Sequence, residues 1–177
     1  MSGCNVKFIY CMKEKEKIKL DRKLVDELKN NIDQFENFIS SANNRQIKYV
    51  LDKLGKLEND YLANLLITLL KHEDDTIRTL AVKNLAKINN ENLFSIYIKL
   101  VKEDSSSMVR RESTDAIGRA RNRINIVTLV NLLNDKDPSV VMSAIRGLLV
   151  FKKEKKVKTE LLKLGKHPNE IIQGVIS

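Results

Sequence analysis

The stretch "DDTIRTLAVKNLAKI" at residues 74–88 places its apolar side chains at the spacing of one helix face. Two similar stretches follow it, "SSSMVRRESTDAIGRA" at residues 105–120 and "DPSVVMSAIRGLLV" at residues 137–150. A repeat of about 30 residues is typical of stacked units, because each unit can bury its apolar face only against its neighbours. The sequence therefore predicts a helical repeat array.

An apolar landmark residue fixes the register of the copies. It recurs every 31 or 32 residues, at Ile77, Val109, Val140 and Ile171. One period before Ile77 the landmark is the polar Gln46, although the surrounding stretch fits. The residues four and eight places after each landmark are apolar or small, which is one face of a helix. Three of four residues nine places after it are small and are expected to let helices approach closely: Gly55, Ala86 and Gly118.

A second apolar segment with helical spacing precedes each copy. These segments are "DQFENFIS", "LANLLITLL", "LFSIYIKLV", "IVTLVNLL" and "VKTELLKL". Capping residues stand between the two segments, most clearly Asp137 followed by Pro138, and also Asp74 and Ser106. Each unit is therefore predicted to be a helix, a tight turn and a second helix.

The motif "D-x-D-P-x-V" resembles the HEAT-like repeat, of the short kind known from phycobilisome lyases. It is formed by Asp135, Asp137, Pro138 and Val140. The resemblance covers residues 30–177 and implies an all-α fold, a right-handed α-solenoid of about five HEAT-like helix pairs, in an ARM-like α-α superhelix. HEAT arrays mostly act as scaffolds and adaptors. Some bind DNA, including a class of alkylpurine glycosylases, and others are lyases or partners of lyases.

The family's arginine after the landmark is matched by Arg78 and Arg110. Its aspartate is matched by Asp104 and Asp135, whereas His72 stands at that place in an earlier copy. The resemblance implies that these arginines form a structural row of ion pairs rather than a ligand site.

Residues 1–20 are predicted to be a mobile N-terminal tail, and residues 21–177 to be the array with an incomplete last repeat. The short last helix and its apolar end predict a piece of a longer protein, or self-association through the C-terminal end. The sequence has no long apolar run or signal peptide, which predicts a cytoplasmic location.

No catalytic constellation is apparent, so we expect no enzyme activity, no cofactor and no metal site. His72 and His167 stand three repeats apart, which is too far to share a metal ion, and each is predicted to be a solvated turn residue. The sequence contains no Walker, G-x-G-x-x-G or G-x-S-x-G motif. It has no tryptophan with which to build the aromatic cleft that a glycosylase needs.

The net charge of +9 is more informative by its position than by its size. In a HEAT-like stack, the residues two, six and ten places after each landmark line the concave face. Seven of them are basic and two, Asp52 and Asp115, are acidic, which gives a net charge of +5. We call the basic ones the basic stripe: Lys48, Lys56, Lys83, Lys87, Arg111, Arg119 and Arg146.

The basic stripe fits an anionic partner and a solvated surface equally well. The function predicted from the sequence is a non-catalytic scaffold that holds a macromolecule, a protein or an acidic segment, on this face. One alternative is duplex nucleic-acid binding through phosphates, since the stripe has no aromatic residues for single strands. A second alternative is a lyase- or glycosylase-like HEAT enzyme.

Overall fold

A computed structural model of the chain describes residues 20–57, 61–88, 90–166 and 169–174. Helix makes up 76% of these residues, and none of them lies in a strand. The predicted all-α fold is therefore confirmed. The predicted tail up to residue 19, His167 and the side chain of Ile171 lie outside the described residues.

The described residues form eleven α-helices, joined by tight turns and short 3-10 segments. The helices are α1 (Arg22–Asn30), α2 (Ile32–Ser41), α3 (Asn44–Lys53), α4 (Ala63–Leu69), α5 (Asp75–Leu85), α6 (Phe94–Glu103), α7 (Ser107–Arg119), α8 (Ile126–Asn131), α9 (Pro138–Leu149), α10 (Lys155–Lys163) and α11 (Glu170–Gly174). Both segments of every predicted unit are helical. Helix α1 precedes the first predicted segment and was not expected from the repeat pattern.

The predicted caps account for where the second helices of the repeats begin. The Asp74 carboxylate accepts hydrogen bonds from the amides of Thr76 and Ile77 at the start of α5. The Asp137 carboxylate accepts from the Ser139 amide, and Pro138 occupies the first position of α9. Ser106 lies at the N-cap of α7 as predicted, but its side chain makes no capping hydrogen bond.

The chain divides into two compact units after Ile88. In the first unit, α1 packs on α2 and α3, and both α3 and α4 pack on α5. In the second unit, α6 and α9 pack on α7, α8 packs on α7 and α9, and α10 and α11 pack on α8 and α9 respectively. Each unit therefore builds its own apolar core.

The landmark residues lie in these cores. Ile77, Val109 and Val140 are fully buried. The polar landmark Gln46 is also buried, since only 5% of it is exposed, and its side-chain oxygen accepts a hydrogen bond from the Asn43 amide. This capping box satisfies the polar group and explains why a glutamine occupies a core position.

The small residues differ in their roles. A Cβ on Gly118 would lie 2.9 Å from the Gly147 Cα, so α7 and α9 touch through their backbones at this point. The prediction of close approach is right for Gly118, and its partner is Gly147. Gly55 instead has a φ of +69° just after α3, a conformation that favours glycine, and the prediction that it packs between helices is wrong.

Arg110 forms a buried ion pair that joins two repeats of the second unit. Its Nε and Nη2 donate to the Asp135 carboxylate at 2.9 and 3.0 Å, and its Nη1 donates to the carbonyls of Asp104 and Ser105. Burial raises the pKa of Asp135, but the hydrogen bonds and charge of Arg110 outweigh it and lower this pKa overall. The prediction that Arg110 forms a structural ion pair is therefore confirmed. Removing one partner of such a pair typically costs about 3–5 kcal/mol.

His72 makes the same turn contact as Asp104 and Asp135, which stand at the equivalent positions of later repeats. Its Nδ1 accepts a hydrogen bond from the Asp74 amide at 3.0 Å. The Oδ1 atoms of Asp104 and Asp135 accept from the amide two residues ahead in the same way. Arg78 donates to the carbonyl of His72 at 2.9 Å. The predicted turn position of His72 is right, but its ring is half-buried and takes part in the hydrogen bonding that orders the turn before α5.

We predict that Gly118→Ala destabilises the protein by about 1–3 kcal/mol, because the added methyl group meets the backbone of Gly147 and no side chain can move aside. Gly165→Ala is the matched control, since a Cβ there meets nothing within 4 Å, and it should change stability by less than about 0.5 kcal/mol. Urea unfolding followed by circular dichroism measures both variants. Equal stabilities would contradict the close packing of α7 and α9.

We also predict an acid-sensitive contribution from Asp137. Hydrogen bonds from the Ser139 and Ser107 hydroxyls and the Ser139 amide lower the pKa of Asp137 to about 2. A lowered folded-state pKa stabilises the fold above the unfolded value of 3.8, and this contribution is lost as the pH falls towards 2.

Asp137→Asn keeps a capping oxygen but cannot titrate. The stability advantage of the wild type over Asp137→Asn, on the order of 1 kcal/mol at neutral pH, should therefore shrink as the pH falls below about 4 and be mostly lost by about pH 2. Urea unfolding at a series of pH values measures it, and a constant advantage would show that the Asp137 charge does not contribute.

Candidate partner-binding surface

All seven residues of the basic stripe lie outside the apolar cores. Lys48 and Arg111 are half-buried, and the other five are exposed. The side chains are distributed over both units, Lys48 to Lys87 in the first and Arg111 to Arg146 in the second. Stripe residues of both units contact acidic side chains of their own unit.

In the first unit, two lysines of the stripe form ion pairs with acids of the neighbouring repeat. The Lys48 Nζ lies 2.6 Å from the Asp74 carboxylate, which also accepts a hydrogen bond from the Asn44 side-chain amide. The hydrogen bond from Lys48 is the main cause that lowers the pKa of Asp74. Lys83 lies 3.9 Å from Asp52 of the preceding repeat. These two lysines therefore have acidic partners within the unit.

Lys87 caps the C-terminal end of α3. Its Nζ donates to the Gly55 carbonyl and to the Asn84 side-chain oxygen, both at 2.8 Å. The buried Asn84 in turn donates to the Leu51 carbonyl at 2.8 Å. A cation at this end of a helix also complements the helix dipole. Lys56 is exposed, and we find no ion pair or hydrogen bond between it and the described residues.

In the second unit, two arginines of the stripe also contact acidic side chains, and both arginines are exposed. Arg119 Nη2 lies 3.2 Å from Glu112 Oε1. Arg146 Nη2 donates to Asp115 Oδ1 at 3.3 Å and to the Ser143 hydroxyl at 2.8 Å. Arg111 makes no ion pair with any residue that the structure describes. Two acids outside the counted positions, Asp74 and Glu112, also contact residues of the stripe. With Asp52 and Asp115, four acids stand against seven bases, so the net charge of this set is +3 rather than +5.

Arg119 and Arg146 border an open groove of about 420 Å³ in the second unit, which we call the arginine groove. Its lining residues are Asp115, Gly118, Arg119, Arg121, Ser143, Arg146, Gly147 and Val150. The lining thus includes three arginines and one aspartate. The two glycines at which α7 and α9 meet, Gly118 and Gly147, belong to this lining.

Arg121 is the residue of the arginine groove that the sequence analysis missed. It follows the end of α7 with a φ of 50°, so it lies outside the helical register from which the stripe was counted. The only signal in the sequence was its place in the arginine-rich stretch "RRESTDAIGRARNR". With three arginines, the groove has donors suited to a carboxylate or a phosphate group.

The acid–base pairs of the two units repeat each other. Asp52 and Lys83 both stand six residues after their landmarks, and so do Asp115 and Arg146. In each unit the acid of the earlier repeat meets the base of the later repeat. Arg146 also belongs to the arginine groove.

Comparison with protein-family models and with curated sequences finds no match to this chain. Among the described residues, no helix has the length and apolar character needed to cross a membrane. In the same residues, no group of three or more His, Cys, Asp or Glu side chains could hold a metal ion.

Proposed function

We propose that this chain is a non-catalytic binding module that holds an acidic segment of a partner protein in the arginine groove. In this proposal the helix pairs continue as a right-handed HEAT-like α-solenoid, and the protein works in the cytoplasm. The convergence of Arg119, Arg121 and Arg146 on one groove carries the proposal. Arginine suits this role because its planar guanidinium group can bind a carboxylate through two parallel hydrogen bonds.

The distribution of charge favours a protein segment over a nucleic-acid duplex. Lys48, Lys83 and Lys87 already contact acids or carbonyls of their own unit. A duplex-binding surface gains affinity from many cations that remain available to phosphates. The groove instead offers a few donors in a small volume, and Val150, which is 51% exposed, adds an apolar contact. This combination suits the side chains of a peptide.

Duplex nucleic-acid binding is the second candidate. It is favoured by the net charge of +9 and by Lys56 and Arg111, for which we find no acidic partner among the described residues. We find no observation in the described residues that favours the lyase- or glycosylase-like alternative.

We predict that the paired change Arg119→Gln and Arg146→Gln weakens binding of a fluorescein-labelled hexaglutamate peptide by at least about tenfold, because hydrogen bonds between charged groups are lost. Fluorescence anisotropy at low ionic strength measures the affinity, with hexaglutamine as the uncharged probe. The control pair Lys99→Gln and Lys102→Gln removes the same charge from exposed positions of α6, outside the groove lining, and should bind almost as the wild type does.

An equal loss in both pairs would show that the effect comes from net charge and would contradict the groove. If the wild type does not bind hexaglutamate, the proposal fails. Salt-sensitive binding to a short DNA duplex that hexaglutamate does not displace would replace it with the nucleic-acid candidate.

A further inference from the structure

We infer that Asp115 is a built-in competitor in the arginine groove, whose carboxylate occupies Arg146 and so sets the affinity for acidic ligands. The inference rests on the proposed function, because it names the residue that tunes the same site. It assigns to Asp115 a role that opposes binding, although this residue lies among the arginines that support binding.

The contact between Asp115 and Arg146 is one that a ligand can replace. It is a single hydrogen bond of 3.3 Å from Nη2 to Oδ1, and the two side chains are 27% and 57% exposed. Exposed pairs of this kind are worth little, since water screens the attraction. A carboxylate of the ligand therefore exchanges with the Asp115 carboxylate at small cost.

Arg146 does not depend on Asp115 for its position. The Ser143 hydroxyl accepts from the same Nη2 at the shorter distance of 2.8 Å. Ser143 is almost fully buried in α9, so this contact comes from a fixed part of the second unit. Because Nη2 carries two hydrogens, it can keep the Ser143 contact while the other hydrogen passes from Asp115 to the ligand.

Asp115 stays in the lining of the groove after this exchange, and its negative charge then repels the ligand. A ligand with one carboxylate gains only the contact that Asp115 has lost. A segment with two or more carboxylates also reaches Arg119 and Arg121, and it outweighs the repulsion. Asp115 therefore selects for clustered acidic residues over isolated ones.

The test compares Asp115→Asn with Asp52→Asn, using labelled hexaglutamate and fluorescence anisotropy. Asp52→Asn is the matched control, because Asp52 has the equivalent repeat position, a basic partner six residues after the next landmark, and the same charge change. We expect Asp115→Asn to bind about two- to fivefold more tightly than the wild type, which corresponds to the removal of one exposed charge contact. Asp52→Asn should bind as the wild type does.

A peptide with a single glutamate among glutamines tests the selectivity. We expect the preference for hexaglutamate over this peptide to be smaller in Asp115→Asn than in the wild type. Unchanged or weaker binding by Asp115→Asn, with binding by the wild type intact, would overturn the competitor role and leave the proposed function standing. An equal gain in Asp52→Asn would also overturn it, because the effect would then follow net charge. If neither the wild type nor Asp115→Asn binds hexaglutamate, both proposals fail.

Discussion

The backbone contact between Gly118 and Gly147 is the constraint on which the second unit depends. Because neither residue has a side chain, α7 and α9 approach until a Cβ on either glycine would lie about 3 Å from the backbone of the other. Both glycines line the arginine groove, together with Arg119 of one repeat and Arg146 of the following repeat. The arginine groove is thus a product of helix packing, and its two main cations come from different repeats.

Polar contacts at equivalent repeat positions set the register within each unit. The Asp74 carboxylate accepts a hydrogen bond from the Asn44 side chain, and the Asp137 carboxylate accepts one from the Ser107 hydroxyl. Both donors stand two residues before a landmark. These contacts hold the N-cap carboxylate of one helix against the preceding repeat. The buried pair of Arg110 and Asp135 adds a stronger link of the same kind in the second unit. Such contacts stabilise a single register between neighbouring repeats, whereas apolar packing alone is compatible with several registers.

The sequence predicted the helices and their caps well, because periodicity and capping chemistry are local properties. The landmark residues Ile77, Val109 and Val140 were identified from their spacing alone, and all three are buried. The pairing of charges was not predictable in the same way, since it depends on which side chains meet across repeats. Lys48 and Lys87 were therefore predicted to bind a ligand. In the structure, Lys48 pairs with the N-cap carboxylate of α5 and Lys87 donates to the Gly55 carbonyl after α3.

Two departures from the repeat pattern show what spacing cannot reveal. His72 was predicted to be a solvated residue because it lies too far from His167 to share a metal ion, yet its ring nitrogen accepts a backbone hydrogen bond as Asp104 and Asp135 do. Arg121 escaped notice because it follows a helix end, where the helical register no longer applies. Helix α1 escaped notice because it lies outside the repeat, although Asp21 caps it and Val25 and Leu28 are buried.

Amide chemical shifts can show whether acidic ligands bind at the arginine groove of the second unit. Hexaglutamate is titrated into nitrogen-15-labelled protein, and the amide signals are followed by NMR. If acidic ligands bind in the groove, the largest shift changes fall on Gly118, Arg119, Arg121, Gly147 and Val150. The amides of Lys48 and Lys83 in the first unit should change little. Largest changes in the first unit, or changes of equal size across both units, would show that the arginine groove is not the binding site.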